Sequence, residues 1–222
     1  MSGVVFPLWL SLRVATLATL AILPVGVFLA HVQARYRYPG RGVVGTLLVL
    51  PLVLPPTVVG YYLVALLGPD GPIGAPLQGL TGASIMFTFW ACVVAAAVVA
   101  FPLLVRAAQG AFETIDPSYE EIAYTLGSSR LDALVRVRLP LAARGILAGA
   151  ILAFSRALGE FGATMMLAGN IPGRTNTMPL EVFSAYVAGD GSRARMLVLV
   201  LTVVSAIVLV ASDRLGRRPH DA

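Results

Sequence analysis

The sequence predicts an all-α fold, a polytopic membrane helix bundle of about five transmembrane helices, on three observations. Of 222 residues, 58% are hydrophobic and 12% charged, with a mean hydropathy of +0.85. Ordinary soluble domains run roughly 45–50% apolar and about 25% charged. The charge is absent from five long stretches instead of being thinned evenly, as residence in lipid requires. The arginines collect in alternate connections, the pattern of a multi-pass chain. The apolar content also excludes disorder. Although the net charge is +5, the basic residues do not cluster on one soluble face, so nucleic acid is not an expected partner and membrane lipid is.

The same composition removes several chemistries. All sixteen basic residues are Arg and none is Lys. A phosphate-binding P-loop needs a Lys after its second Gly, and a pyridoxal enzyme needs one for its imine. The single cysteine, Cys92, lies in an apolar run, so no internal disulfide or thiolate metal cluster is expected. His31 and His220 are far apart with no ligand spacing around them. No catalytic residue and no metal ligand is therefore expected, and no cofactor held by this chain.

The uncharged runs place spans at about 8–30, 43–67, 85–105, 145–168 and 196–212. Each approaches the roughly 20 residues that cross a hydrocarbon core of about 30 Å. The first does not read as a signal peptide, because its basic flank (Arg35, Arg37, Arg41) follows the apolar run and no cleavage site is evident. In the second, Pro51, Pro55 and Pro56 remove three backbone donors, so the helix must kink or break. That break is either a generic kink or part of a gate.

Orientation follows from the arginines. Residues 31–42, 106–144 and the tail hold eleven (Arg35, Arg37, Arg41, Arg106, Arg130, Arg136, Arg138, Arg144, Arg214, Arg217, Arg218). The opposite side holds three, Arg174, Arg193 and Arg195, while Arg13 and Arg156 lie inside spans. The amino terminus is expected outside and the carboxyl terminus in the cytoplasm. No inverted repeat is evident, so the usual mark of many secondary transporters is missing.

Residues 107–143, within a single membrane domain of 1–222, are too patterned for a plain connector. Asp116 reads as an N-cap ahead of Pro117, and Glu120 and Glu121 sit at the positive end of the helix dipole. Gly127 supplies a stop. Ser129 and Asp132 suggest a capping box, with Leu131, Leu134 and Val135 on one face of a second helix that Pro140 ends. A solvated hairpin lying on the membrane would show the same pattern.

In the fourth span, Arg156 and Glu160 are spaced i, i+4 on one helix face. A central Arg costs about 2.5–3.5 kcal/mol on insertion scales, and with a carboxylate the pair costs roughly 5–7 kcal/mol if unpaired. The span's eight Leu, Ile and Phe residues return only about 2.5–5 kcal/mol. The two charges must therefore pair or face a wet interior. Gly145 and Gly149 permit close helix packing, and Gly159 and Gly162 flank Glu160. Ser155, Arg156, Gly159, Glu160, Gly162 and Thr164, with Pro55 and Pro56, are the candidates for a translocation path or its gate. Arg156–Glu160 as a packing device is the competing reading. Hydroxyls or backbone N–H groups suffice for a transient anion contact.

Beyond this span, residues 169–180 form a turn-rich outer loop, followed by a short apolar run at 182–188. The loop is either a connector or a docking surface carrying Asn170, Pro172, Gly173, Arg174 and Thr175.

Residues 121–140 resemble the cytoplasmic signature of importer-type ABC permeases. That signature reads Glu-Ala-Ala, three residues, Gly, nine residues, then Ile, any residue, Leu-Pro. Here Glu121, Ala123, Gly127, Leu139 and Pro140 match, while Ile122 stands for Ala and Val137 for Ile. The resemblance implies that the hairpin, with Glu120 beside it, docks on a separate ATPase subunit. The proline run at 50–56, the string at 156–164 and the loop at 169–175 are similar to the molybdate permeases, and more weakly to the sulfate permeases. That resemblance implies an importer-type ABC permease core working as a homodimer. Two ATP-binding subunits would consume ATP and Mg, and an extracytoplasmic molybdate-binding protein would deliver the anion. Sulfate, thiosulfate or tungstate carriage is the alternative, and an ATP-independent oxyanion channel or secondary carrier the alternative of a different class.

Overall fold

Uncharged runs of Ala, Leu and Val become helices in lipid because only a helix or a closed barrel satisfies its own backbone there. The computed structural model describes the backbone of residues 2–216 and the side chains of 3–210. Arg217, Arg218 and the Arg214 side chain, which enter the orientation argument, lie outside the described residues. The helices are α1 (Ser2–Arg35), α2 (Arg41–Val53), α3 (Pro56–Leu67), α4 (Gly74–Thr81) and α5 (Phe89–Glu113). The hairpin holds α6 (Ser118–Thr125) and α7 (Arg130–Ala133). A π-helical turn, Leu134–Arg138, joins α7 to α8 (Leu139–Leu158), and α9 (Gly162–Ala168), α10 (Met178–Val187) and α11 (Gly191–Gly216) follow.

Among the described residues, four helices are long and apolar enough to cross a membrane: α1, α5, the continuous 130–158 helix and α11. The count is five if α2 with α3 is one span; these pass that test only together and diverge by 113° at the Leu54–Pro55 break. The second span is thus two helices, so of the kink or break expected over 43–67 the break is what forms. The three missing proline donors explain the break. Contacts across the bundle show that the chain returns to its starting side between α1 and α5, along this bent pair and the residues that follow it. Arg13 lies 5.1 Å from the Phe89 ring, Gly26 lies against Leu104, and His31 is 5.3 Å from Phe112. Since α1 and α5 therefore run parallel, the residues between them must return the chain to the starting side.

Alanine-rich α5 is the centre of the bundle, with Ala91, Ala95, Ala96, Ala100 and Ala108 fully buried. Small side chains let α1 and α8 approach its backbone closely. The Gly145–Gly149 pair packs as predicted: a Cβ at Gly145 would stand 2.3 Å from Ala111 Cβ, and one at Gly149 2.8 Å from Ala107 Cβ. Gly145→Leu is expected to wedge α8 off α5, at the cost of about 1–3 kcal/mol typical of overpacking. Thermal unfolding of the purified chain in detergent checks this, and an unchanged midpoint would refute the close approach.

Two further predictions need correction. The fourth span is not continuous over 145–168, because α8 ends at Leu158 and α9 restarts at Gly162. Pro140 does not end the second hairpin helix but occupies the first turn of α8. Proline removes the 140→136 hydrogen bond and crowds that carbonyl, and the chain answers by widening one turn, with Leu139 N–H donating to Leu134 O. The second arm of the hairpin and the fourth crossing are consequently one rod. Residues 107–113 likewise continue α5, so only about 114–138 project as hairpin.

Candidate functional site

At the hairpin's first arm, Asp116 Oδ1 accepts the Ser118 N–H at 2.9 Å. This bond holds the Asp116 carboxyl below the usual carboxylate range. The arm ends in a Schellman motif: Ser128 N–H donates to Ala123 O and Gly127 N–H to Tyr124 O, both at 3.0 Å. Gly127 carries φ +84°, which glycine adopts without strain. Ser129 Oγ accepts the Asp132 N–H at 3.1 Å and donates to Asp132 Oδ2 at 2.6 Å, forming the predicted cap of α7.

The residues of the signature divide between two faces. Glu121 and Gly127 are exposed, as are the neighbouring Tyr119, Ile122, Leu126 (81%), Leu131 (70%) and Val135. Ala123 is buried against the chain itself, and Val137 and Leu139 are half-buried. Pro140 is exposed at the foot of α8. Glu120 requires a correction, because its side chain is closed off and held by two guanidinium groups. Arg35 Nε donates to Oε2 at 2.8 Å and Arg138 Nη1 to Oε1 at 3.0 Å. It is therefore not available to a partner, whereas the adjacent Glu121 is. Sequence reasoning missed Arg35 and Arg138, since no local pattern joins residues 85 positions apart in sequence.

On the far side of the bundle, the two helix breaks meet. A Cβ at Gly162 would stand 3.0 Å from Pro56 Cβ and 3.1 Å from Thr57 N, and one at Gly60 only 2.7 Å from Met166 Cβ. Half-helices α3 and α9 are thus in backbone contact, with Pro55 exposed, Pro56 half-buried and Gly159 exposed beside them. Glu160 lies in the break, where a position on a continuous helix was predicted. Its side chain is 1% exposed and 2.8 Å from Arg156 Nη1. The approach is out of line for a hydrogen bond, so the attraction is Coulombic. Its other oxygen, Oε1, accepts the Ala163 N–H at 2.8 Å and caps α9. The predicted pairing forms, and the carboxylate also occupies the donor end where an anion would otherwise sit. Ser155 is half-buried and its Oγ donates to Ile151 O, whereas Thr164 is buried, so the Thr164 hydroxyl lines no open path in this conformation.

The loop at 169–180 also divides. Pro172, Gly173 and Arg174 are exposed. Thr175 is fully buried, accepting the Ile171 N–H at 2.9 Å and donating to Gly169 O at 3.2 Å, so it cannot meet an external protein as predicted. Asn170 is half-buried and donates to Leu180 O and Ser184 Oγ, which fixes its side chain against α10. Gly173 N–H donates to Asn176 Oδ1, Asn176 donates to Glu181, and Glu181 pairs with Arg193. This network ties the loop to α10 and α11, and Asp190, accepting the Arg193 N–H, is held below its usual range. Phe87, whose φ of +58° is rare for a bulky residue, packs its ring on Gly169 and donates its N–H to Leu167 O.

The comparisons with known proteins agree with one another. The family described as the binding-protein-dependent transport system inner membrane component matches residues 22–219. The chain is 42% identical over 209 residues to the molybdenum transport system permease protein ModB of Escherichia coli K12, covering 94% of this chain and 91% of that one. It is 41% identical over 210 residues to the ModB protein of Haemophilus influenzae, covering 94% and 92%. Among solved structures, a bacterial ABC transporter involved in import of the acidic polysaccharide alginate superposes with a TM-score of 0.77. Identity there is 16%, covering 99% of this chain and 81% of that one, which is a likeness of fold. With its helix order, its signature hairpin and these matches, the chain belongs to the family of inner-membrane components of binding-protein-dependent transport systems.

Proposed function

We propose that the chain is the membrane-spanning subunit of an ATP-driven importer that moves molybdate into the cytoplasm. It would act as two copies with two ATP-hydrolysing subunits and an external molybdate-binding protein. The observation that carries the reading is the hairpin, whose apolar outer face is open and whose second arm is continuous with a crossing. Tyr119, Ile122, Leu126, Leu131 and Val135 leave the hairpin's apolar side chains exposed and uncovered among the described residues. Apolar exposure of this kind marks a protein docking site. The relatives named for molybdenum transport support the substrate, and the arginine asymmetry supports a cytoplasmic hairpin with the amino terminus outside.

In this reading ATP and Mg are used by the partner, and this chain supplies positions and motion. Closure of the two ATP-hydrolysing subunits draws the hairpins together. Each α7–α8 rod carries that displacement to the break at Glu160, where α9 slides against α3. Because Glu160 caps α9 and is balanced by Arg156, the break adds no free negative charge to the route of an anion. Residues 1–222 would act as one transmembrane domain, and within the coupling loop expected over 107–143 the part that engages the partner would be the projecting hairpin, about 114–138. Pro172, Gly173 and Arg174 are the loop residues placed to meet a delivering protein.

The test reconstitutes the chain with its ATPase in proteoliposomes and supplies binding protein loaded with molybdate, tungstate or sulfate. Import with molybdate above sulfate, dependent on ATP, is expected. Sulfate import of equal rate would move the assignment to the sulfate carriers, and import by the chain alone would make it a channel or secondary carrier.

A further inference from the structure

One carboxylate, Glu120, joins three segments far apart in sequence. It accepts from Arg35 at the inner end of α1 and from Arg138 at the foot of α8. Arg138 Nη2 donates onward to Phe112 O, in the last turn of α5, at 3.3 Å, and its guanidinium lies 5.6 Å from the Phe112 ring. The Glu120 and Arg138 side chains are 8% and 7% exposed. Arg138 Nε is buried without a partner.

A buried ion pair is a poor device for stability, since apolar side chains of similar volume do as well or better. An incompletely satisfied one is poorer still. What a buried pair does well is fix one arrangement of its elements against others. The arrangement fixed here is specific: the inner face of α6 is locked to α1, α5 and α8, while its outer face and Glu121 stay free. A polar cavity of about 390 Å³ lies beside the pair, lined by Arg35, Glu113, Asp116 and Tyr124 among others. It leaves the joint room to shift.

We propose that Glu120 and Arg138, with Arg35, form the transmission joint of this subunit. They are positioning residues that make hairpin displacement move α1 and α5 along with α8. Without the joint, the hairpin still docks, and its motion reaches the bundle only through the α8 rod. This inference rests on the proposed function, because it assumes a partner that moves the hairpin.

The test uses the complete reconstituted transporter with Glu120→Gln, Arg138→Met and Arg138→Lys. For Glu120→Gln and Arg138→Met, the ATPase is expected to copurify and hydrolyse ATP at near wild-type rate. Substrate imported per ATP should fall by about tenfold, within the range that one broken coupling contact produces. Arg138→Lys keeps the charge that meets Glu120 and is expected to recover most of the ratio, a rescue that a merely structural loss would not show. Spin labels at Ser118 and Gln109 read the joint directly, with a broader distance distribution expected in Glu120→Gln. Unchanged import per ATP in both charge-removing variants would overturn the joint. So would loss of ATPase copurification, which would make these residues part of the docking surface. If Arg138→Met fails to fold, Glu120→Gln, of nearly identical shape, decides the matter. Failure of the wild-type chain to couple to any ATPase would instead overturn the proposed function and leave the joint without a load.

Discussion

Glu160→Ala is expected to lower import at least about tenfold and to destabilise the chain by about 3 kcal/mol. The figure is the lower end of the range for breaking a buried ion pair, because Arg156 keeps 28% of its side chain exposed and so retains some solvation. Two losses combine in this variant. Arg156 is left without its counter-charge, and the Ala163 N–H at the start of α9 loses its acceptor. Glu160→Gln separates them, since the amide oxygen still caps α9 but the charge is gone. The double variant Arg156→Met, Glu160→Gln removes both charges and keeps the cap, and it is expected to regain thermal stability in detergent. Import by that double variant decides between the two readings of the pair. Recovered stability with lost import assigns the ion pair to the gate, whereas recovery of both makes it a packing device. Wild-type stability and import in Glu160→Ala would show that the break does not depend on this carboxylate at all.

The parts of the fold written in local pattern were legible, and those made by distant contacts were not. Five crossings follow from uncharged runs, and the turns at Gly127 and Ser129 follow from residues within six positions of each other. The proline break in the second span was legible as an event but not as an angle, because missing donors do not fix the 113° between α2 and α3, nor the contact of α3 with α9 beyond it. Pro140 misled for an instructive reason. A proline ends a helix when no alternative pairing exists, and here one π-helical turn supplies it, so the rod continues. Among the candidate site residues, burial did the sorting. Glu120 and Glu121 are adjacent carboxylates that both read as coupling residues, yet one turns inward to two arginines and the other outward. Asn170 and Thr175 read as loop-surface residues because the loop is polar, and it is polar because it folds on itself. Both arginines that hold Glu120 were visible only as contributions to a charge count.

Gly127→Pro is expected to dissociate the ATPase completely while leaving membrane insertion intact, the largest effect on the hairpin that one substitution can have. A Cβ at Gly127 would meet nothing within 4 Å, so the change acts through the backbone and not through crowding. Proline fixes φ near −65°, against the observed +84°, and removes the N–H that donates to Tyr124 O. With the Schellman closure gone, α6 and α7 no longer present Ile122, Leu126 and Leu131 side by side, and the docking patch is split. The crossings lie outside the turn, which is why insertion survives. Gly127→Ala is expected to be intermediate, since the left-handed conformation costs an ordinary residue roughly 1–2 kcal/mol. Gly127→Asn should lie closest to wild type, because Asn tolerates that conformation. Copurification of the ATPase with each variant, beside membrane-fraction yield, measures the series. Glu121→Lys leaves this backbone untouched and reverses the exposed charge, so weakened binding there would show that the partner contributes a cation. If Gly127→Asn released the ATPase as fully as Gly127→Pro, the backbone angle would not be the cause. The partner would then have to press directly on the tip of the turn, where only a hydrogen atom fits.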